Sequence, residues 1–124
     1  MASPYLKRSP PVAERMADAM RAVEAYCESR VPEDLLDEMR IECTRRGNSI
    51  TIVERRPPWN PDFGSEWSSV KVAQVRYEEQ TGAWVLYCSD SNGRWHRFDQ
   101  AAPTKTVEPL LGMIEADPTG IFWG

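Results

Sequence analysis

Two short segments of the chain combine arginine with aromatic side chains, a combination that binds anionic groups and stacks on planar ones. In the first segment, Arg55 and Arg56 are followed, after two prolines, by Trp59. Arginine donates paired hydrogen bonds to phosphate or carboxylate, and an indole ring stacks on a base or a proline. These residues predict a binding edge for an anionic partner. The alternative is that one arginine is solvated, the other forms an ion pair, and Trp59 covers the core edge.

The second segment contains Arg94, Trp95, His96, Arg97 and Phe98. In a strand, successive side chains alternate between the two faces. Trp95 and Arg97 would then share one face, and the other three residues would share the opposite face. On either face a basic group lies beside an aromatic ring, which is typical of a surface for nucleic acid or an acidic peptide. The alternative is that the rings pair across strands and only stabilise a hairpin.

His96 is the only histidine, so it is the candidate general base if the protein is an enzyme. With a nearby arginine it would act on a carboxylate or phosphate substrate. The chain contains no nucleophile motif, phosphate loop, dinucleotide fingerprint or zinc-protease motif. A histidine that simply makes its hydrogen bonds on a strand is the alternative. We therefore assign no catalytic residue, and we favour a non-enzymatic binding module over a small enzyme or an enzyme remnant.

The cysteines and the terminal segment indicate the compartment. Cys27, Cys43 and Cys88 are widely spaced, odd in number and form no C-x-x-C pair. This pattern favours buried thiols in a reducing cytoplasm over a disulfide framework or a zinc site. The start of the chain lacks the apolar segment of a secretory signal, and no apolar run is long enough to cross a membrane. We expect a cytoplasmic protein without a metal, a cofactor or a membrane partner.

The charge of the chain is unevenly distributed. The net charge of −4 argues against wholesale binding of polyanions. However, residues 39–60 carry five basic and two acidic side chains. A local excess of this kind can steer an anionic partner towards one part of the surface.

The helical elements that would support these segments lie at the two ends of the chain. A chain of 124 residues fits one domain, and we expect a disordered segment at residues 1–8 and a single α+β domain at residues 9–124. Apolar residues recur at steps of three and four after Ser9, which predicts a long amphipathic N-terminal helix. A short second helix would follow Pro32, with three inward apolar side chains: Leu35, Leu36 and Met39. Thr106 would cap a C-terminal helix.

Strand patterns and turn signals alternate between residues 39 and 99, which predicts five strands. Residues 47–48 and the Asn92-Gly93 pair would form two-residue hairpin turns, the latter with positive φ at both positions. A change of phase near Val72 and Ala73 predicts a β-bulge. Short connections predict an antiparallel meander, with the long helix on one face.

The outer strands of such a sheet have unpaired edges. Arg40, Glu42 and Thr44 would point outward from the first strand. Pairing of edges between two copies would give a homodimer, so a self-associating structural protein is a third hypothesis.

The chain closes on two aromatic residues, Phe122 and Trp123. We expect both rings to dock into the domain, because an exposed apolar tail promotes aggregation. The alternative is that this end is a ligand for a partner that recognises terminal carboxylates.

Four fragments together carry a family resemblance: residues 55–59, 83–87, 94–98 and 117–124. In this order and spacing the chain resembles the bacterial domain-of-unknown-function family 3024. The resemblance spans nearly the whole chain, and the closing Asp-Pro-x-Gly-x-Phe-aromatic-Gly pattern is its most specific part. It implies a small, stand-alone bacterial cytoplasmic protein, and it supplies neither an activity nor catalytic residues.

Overall fold

The computed structural model describes residues 12–60, 62 and 64–124. Its elements, in chain order, are α1 (Val12–Arg30), a 3-10 turn (Glu33–Leu35), β1 (Arg40–Arg46), β2 (Ser49–Arg56), β3 (Ser68–Glu78), β4 (Ala83–Ser89), β5 (Trp95–Arg97) and α2 (Glu108–Ala116). The five strands form one antiparallel sheet in the order β1-β2-β3-β4-β5. The predicted α+β meander is therefore confirmed. The segment predicted to be disordered, residues 1–8, lies outside the described residues.

Both helices cover the same face of the sheet. The buried residues of α1 are Met16, Ala19, Val23 and Cys27, at the spacing of one helical stripe. This stripe packs most closely on β1. The buried leucines and isoleucine of α2 belong to the same apolar cluster as the inward side chains of the strands. The core is thus a single layer between the helices and one face of the sheet.

The short second helix is a single 3-10 turn, and its two leucines do not face the core. Leu35 and Leu36 are each 40% exposed, so the prediction that they point inward is wrong. Pro32 has a non-helical ψ of 146°, and only three residues of helix follow it. One turn cannot present an apolar stripe, because a stripe requires residues three and four apart. Met39 does pack against the core, as expected.

A β-bulge interrupts the pairing of β2 with β3 at the predicted position. Ile52 pairs with Ala73, but Val53 pairs with Lys71, so Val72 is the extra residue. Val72 and Ala73 are both buried against the helices. Because two successive residues face the core, Lys71 falls on the same face as Gln74 instead of the opposite one.

The hairpin between β4 and β5 differs from the expected two-residue turn. Gly93 has a positive φ of 76°, whereas Asn92 does not, so the prediction of two positive φ angles is wrong. The cause is Asp90, whose side-chain Oδ1 accepts hydrogen bonds from the N–H groups of Asn92 at 2.8 Å and Arg94 at 2.9 Å. These bonds stabilise a longer turn, with one glycine in the left-handed region.

The start of α2 also differs from the prediction. Val107, not Thr106, occupies the N-cap position, and no side chain caps the helix there. Pro109 follows in the first turn, where its missing N–H costs nothing. Among the described residues, no helix is long and apolar enough to cross a membrane.

Candidate functional site

The face of the sheet opposite the helices contributes no member to the apolar core cluster. We call it the open face and define it from the cross-strand register. Its strand residues are Arg40, Glu42, Thr44, Arg46, Ser49, Thr51, Val53, Arg55, Ser69, Lys71, Gln74, Arg76, Glu78, Ala83, Val85, Tyr87, Ser89, Trp95 and Arg97. Cross-strand partners share a face, so these side chains are neighbours in rows.

One row crosses all five strands. It contains Thr44, Thr51, Gln74, Tyr87 and Arg97, each paired with the next. The side-chain amide of Gln74 donates to the hydroxyl of Thr51 at 2.8 Å. The row therefore presents hydroxyl and amide groups in its middle, with a ring and a cation at one end.

The first of three cation–ring contacts on the open face joins Tyr87, which is in this row, to Arg76, which is in the next row. The guanidinium carbon of Arg76 lies 3.8 Å from the ring centroid of Tyr87. The Nε of Arg76 also donates to Oε1 of Gln74 at 2.6 Å. A guanidinium stacked on a ring and held from the side is fixed in orientation before any ligand arrives.

The second cation–ring contact, between Lys71 and Trp95, joins β3 to β5. The Nζ of Lys71 lies 5.5 Å from the ring centroid of Trp95. It donates to the carbonyl oxygen of Gly93 at 2.7 Å, so the hairpin turn holds it in place. Lys71 reaches this ring because the bulge at Val72 puts it on the open face.

The third cation–ring contact, between Arg40 and Trp67, lies at the other end of the sheet. The guanidinium carbon of Arg40 is 4.4 Å from the ring centroid of Trp67, and its Nε donates to the carbonyl oxygen of Leu36 at 3.0 Å. Next to it, Arg55 donates to the carbonyl oxygen of Trp67 at 3.4 Å and lies 3.5 Å from a carboxylate oxygen of Glu42. Both arginines are partly exposed, so a ligand on this face would contact them.

The strands place six cationic and two carboxylate side chains on the open face. One of the carboxylates, Glu42, forms an ion pair with Arg55. The open face is therefore positive, although the chain as a whole carries a charge of −4. Such a distribution attracts anionic ligands to one side of the molecule.

The structure separates the residues of the first predicted segment. Arg55 lies on the open face, whereas Arg56 points to the helix side, since successive strand residues alternate. There Arg56 contacts the sulfur of Met39 at 3.4 Å and the carboxylate of Glu54. Trp59 lies in the loop after β2 and is 88% exposed. The two arginines therefore leave the strand on opposite faces of the sheet.

The second predicted segment is also divided between the two faces. Trp95 and Arg97 lie on the open face, and His96 lies on the helix side opposite Cys88. Arg94 is exposed in the turn before β5. Two of its five residues, Trp95 and Arg97, therefore lie on the face built by the other strands.

His96 is bound to a carboxylate at the surface. Its Nε2 lies 2.6 Å from Oδ2 of Asp90, and its side chain is 59% exposed. The backbone N–H of Arg94, and then the hydrogen bond from His96, hold the pKa of Asp90 below its usual range. Desolvation raises the pKa of the neighbouring Cys88 thiol, which disfavours a thiolate nucleophile. This cluster lacks the activated nucleophile that covalent catalysis requires.

The end of the chain is held by Asp117. Its carboxylate oxygens accept hydrogen bonds from the backbone N–H groups of Phe122 at 3.0 Å and Trp123 at 2.9 Å. The ring of Phe122 is buried 5.0 Å from that of Phe98, and the guanidinium carbon of Arg30 lies 4.0 Å from the ring centroid of Trp123. Both rings therefore contact the domain.

Sequence reasoning missed much of the open face: Lys71, Gln74, Arg76 and Tyr87. It placed Arg40 only as an outward residue on a strand edge, and it missed Trp67, whose ring packs beside Arg40. The one signal that could have found the β3 members is the change of phase at Val72. Counting alternation separately on each side of it places Lys71 and Arg76 together. No local pattern indicates that Trp67, which lies outside the strands, packs beside Arg40.

These features define a class: a small α+β protein with two helices on one face of an antiparallel sheet and ring-supported cations on the other. Within that class, the chain belongs to the domain of unknown function family DUF3024, whose model matches residues 11–124. The family resemblance is therefore confirmed. No curated protein matches the chain, and no solved structure does.

Proposed function

We propose that the protein is a non-enzymatic module that binds single-stranded nucleic acid on the open face. The observation that carries the proposal is the set of three cations held over rings, at 3.8, 4.4 and 5.5 Å from the ring centroids. Cations that are already oriented lose less conformational freedom when they bind phosphate. Guanidinium planes and aromatic rings are also the groups on which unpaired bases stack.

The shape of the open face favours a single strand over a duplex. Reading the major groove of a duplex requires a protruding helix or ribbon, whereas splayed bases lie on a flat sheet. Thr51 and Gln74, in the middle of the face, supply a hydroxyl and an amide for base edges. The phosphates would meet the surrounding cations.

An acidic protein segment is the second candidate, because the excess of cations over carboxylates on the face would attract it as well. Such a segment would use the charge but would not require planar stacking. Replacing Arg76 by lysine therefore separates the two candidates: charge is retained and the stacked guanidinium plane is lost.

Pairing of β1 edges between two copies is less well supported. α1 packs on β1, the edge strand. Two paired β1 strands would lie about 4.8 Å apart. The two α1 helices above them would need about 8–10 Å between their axes. At the other edge of the sheet, β5 has only three residues. Where β5 ends, Thr104 pairs with Trp84 of β4 instead.

We also propose a cytoplasmic location in a bacterium. Cys27, Cys43 and Cys88 are unpaired thiols, which is the state that a reducing compartment maintains.

The test is a titration of tryptophan fluorescence with single strands of about 15 nucleotides, with the matching duplex and with an acidic peptide. Each titration is made at about 50 and about 200 mM salt. We expect saturable quenching by the single strand that weakens as salt rises. Arg21→Gln, on the outer side of α1, is the matched control because it removes a positive charge far from the open face. Absence of quenching at low salt, or tighter binding of the acidic peptide, would overturn the proposal.

A further inference from the structure

Two cysteines from different elements meet in the core between α1 and β1. Cys27 belongs to the buried stripe of α1, and Cys43 is an inward residue of β1, the strand on which that stripe packs most closely. Their thiols are hydrogen-bond partners, and the S–H of Cys27 donates to the sulfur of Cys43. Because the two residues are far apart in sequence, only the packing of the helix on the sheet brings them together.

The two thiols differ in exposure. Cys27 is 4% exposed, whereas Cys43 is half-buried on a strand at the edge of the sheet. Water and a small oxidant therefore reach Cys43 first, and a negative charge on its sulfur is the better solvated of the two. Since the thiolate is the nucleophilic form of cysteine, we expect Cys43 to react before Cys27.

The hydrogen bond between the thiols favours the same order of reaction. It is the largest influence on the pKa of Cys43 and lowers it, although desolvation and the carboxylates of Glu24 and Glu42 raise that pKa. The pKa of Cys27 is raised, first by this hydrogen bond and then by burial. Cys27 therefore keeps its proton and donates it to the sulfur of a Cys43 thiolate.

The third cysteine, Cys88, is too far from Cys43 to pair with it in the folded chain. Both lie in one cross-strand row, Cys43, Ile52, Ala73 and Cys88, so three strand spacings separate them. At about 4.8 Å for each spacing the separation is about 14 Å, whereas a disulfide needs Cα atoms closer than about 7 Å. Desolvation also raises the pKa of Cys88. Within one molecule, Cys27 is therefore the available partner for Cys43.

We propose that Cys43 and Cys27 are a peroxide-sensitive pair whose oxidation links β1 to α1 through a disulfide. An accessible thiolate beside a second, resolving cysteine is the arrangement that redox-sensing sites use. In a reducing cytoplasm such a bond is transient, so it is compatible with the free thiols of the resting protein. The pair uses no residue of the open face, and its failure would leave the proposed function intact.

The oxidation has two balanced steps. In the first, the thiolate of Cys43 attacks one oxygen of hydrogen peroxide: an S–O bond forms, the O–O bond breaks, and the hydroxide that leaves takes up a proton from solvent. In the second, the sulfur of Cys27 attacks the sulfur of Cys43: the S–S bond forms, the S–O bond breaks, and the departing hydroxide takes up the proton of Cys27. Two thiols are oxidised, one peroxide is reduced and two waters are released.

The test is oxidation of the full chain with equimolar hydrogen peroxide, followed by intact mass and by tryptic peptides under non-reducing conditions. Trypsin places the three cysteines in separate peptides, 22–30, 41–45 and 77–94. We expect the loss of two hydrogen atoms, a cross-link between the first two peptides, and recovery of both thiols with a dithiol reductant. A cross-link to peptide 77–94, a link between two molecules only, or oxidation without any cross-link would overturn the proposal.

Two serine variants assign the roles within the pair. Cys27→Ser keeps a hydroxyl donor but removes the resolving sulfur, so the sulfenic acid should accumulate at Cys43 and be trapped there by dimedone. Cys88→Ser is the matched control and should form the cross-link as the wild type does. At short times, dimedone labelling in Cys27→Ser should be at least about threefold greater at Cys43 than at Cys88, because the gain in thiolate fraction outweighs the loss of nucleophilicity. Equal labelling of the two residues would contradict the proposal.

Discussion

The guanidinium carbon of Arg76 lies 3.8 Å from the ring centroid of Tyr87, on the neighbouring strand. The same guanidinium donates to Gln74, which in turn donates to Thr51, so four side chains on three strands form one connected group. This group lies on the face that the helices leave uncovered. A surface that only needed to be soluble would not require its arginine to be held from two directions.

Replacing Arg76 by glutamine should weaken binding of single strands more than it weakens the fold. Removing one phosphate contact lowers the slope of log affinity against log salt by about 0.7. The stability cost should be no more than about 2 kcal/mol, because Arg76 is partly buried and a cation–ring contact contributes between about 0.5 kcal/mol when exposed and about 2 kcal/mol when desolvated. Fluorescence titration at several salt concentrations and thermal unfolding measure the two effects. An unchanged salt slope would remove Arg76 from the site.

Arg55 and Arg56 are neighbours in sequence, yet they should respond differently. Arg55→Gln should weaken oligonucleotide binding, because this side chain lies on the open face. Arg56→Gln should leave binding unchanged, because it points to the helix side, where it contacts Met39. Both variants change the net charge equally, so each is the control for the other. Equal losses in the two variants would show that only total charge matters.

Val70 and Val72 are two residues apart in β3, but one is exposed and the other is buried. Val72 is 3% exposed and Val70 is 58% exposed. Val72→Ala should destabilise the protein by about 2 kcal/mol, since it removes buried methyl groups from a packed site. Val70→Ala should remain within about 0.5 kcal/mol of the wild type. Urea unfolding measures both, and a cost for Val72→Ala as small as that for Val70→Ala would contradict the burial of Val72 that the bulge produces.

Asp117 should make the fold sensitive to acid. Desolvation raises the pKa of this carboxyl, but the N–H donors of Phe122, Trp123 and Gly124 outweigh it and hold the pKa below its usual value. The stabilisation is therefore complete above the pKa of the unfolded state, and it is lost as pH falls through the lower pKa of the folded state. Asp117→Asn should cost about 1–2 kcal/mol near neutral pH and less in acid.

The measurement for Asp117 is the free energy of unfolding in urea as a function of pH. The matched control is Asp37→Asn, an exposed carboxylate in the connection between α1 and β1. If both variants show the same pH dependence as the wild type, the carboxylate of Asp117 does not stabilise the end of the chain.

The sequence predicts the elements of this fold better than it predicts the surface that they build. Strand alternation and the phase change at Val72 are local properties, so the five strands and the bulge could be anticipated. The turn before β5 could not, because Asp90 supplies a side-chain acceptor that competes with the usual conformation of the Asn92-Gly93 pair. A propensity for a turn type does not include such a bond.

The sequence predicted which types of residue form the candidate site better than it predicted where those residues lie. Trp95, Arg97 and Arg55 lie on the open face, but the residues beside them come from other strands and depend on the register. Arg40 and Trp67 are far apart in the chain, and their contact follows from how β1, β2 and β3 pair. Only long-range structure supplies that information.

The most direct test is to map the binding of a single-stranded oligonucleotide onto the protein by two-dimensional amide NMR at low salt. We predict that the shifted residues belong to the open face, centred on Thr51, Gln74 and Tyr87, and that the amides of α1 and α2 remain in place. Shifts concentrated on the helices, or no shifts at any oligonucleotide concentration, would contradict the proposed function.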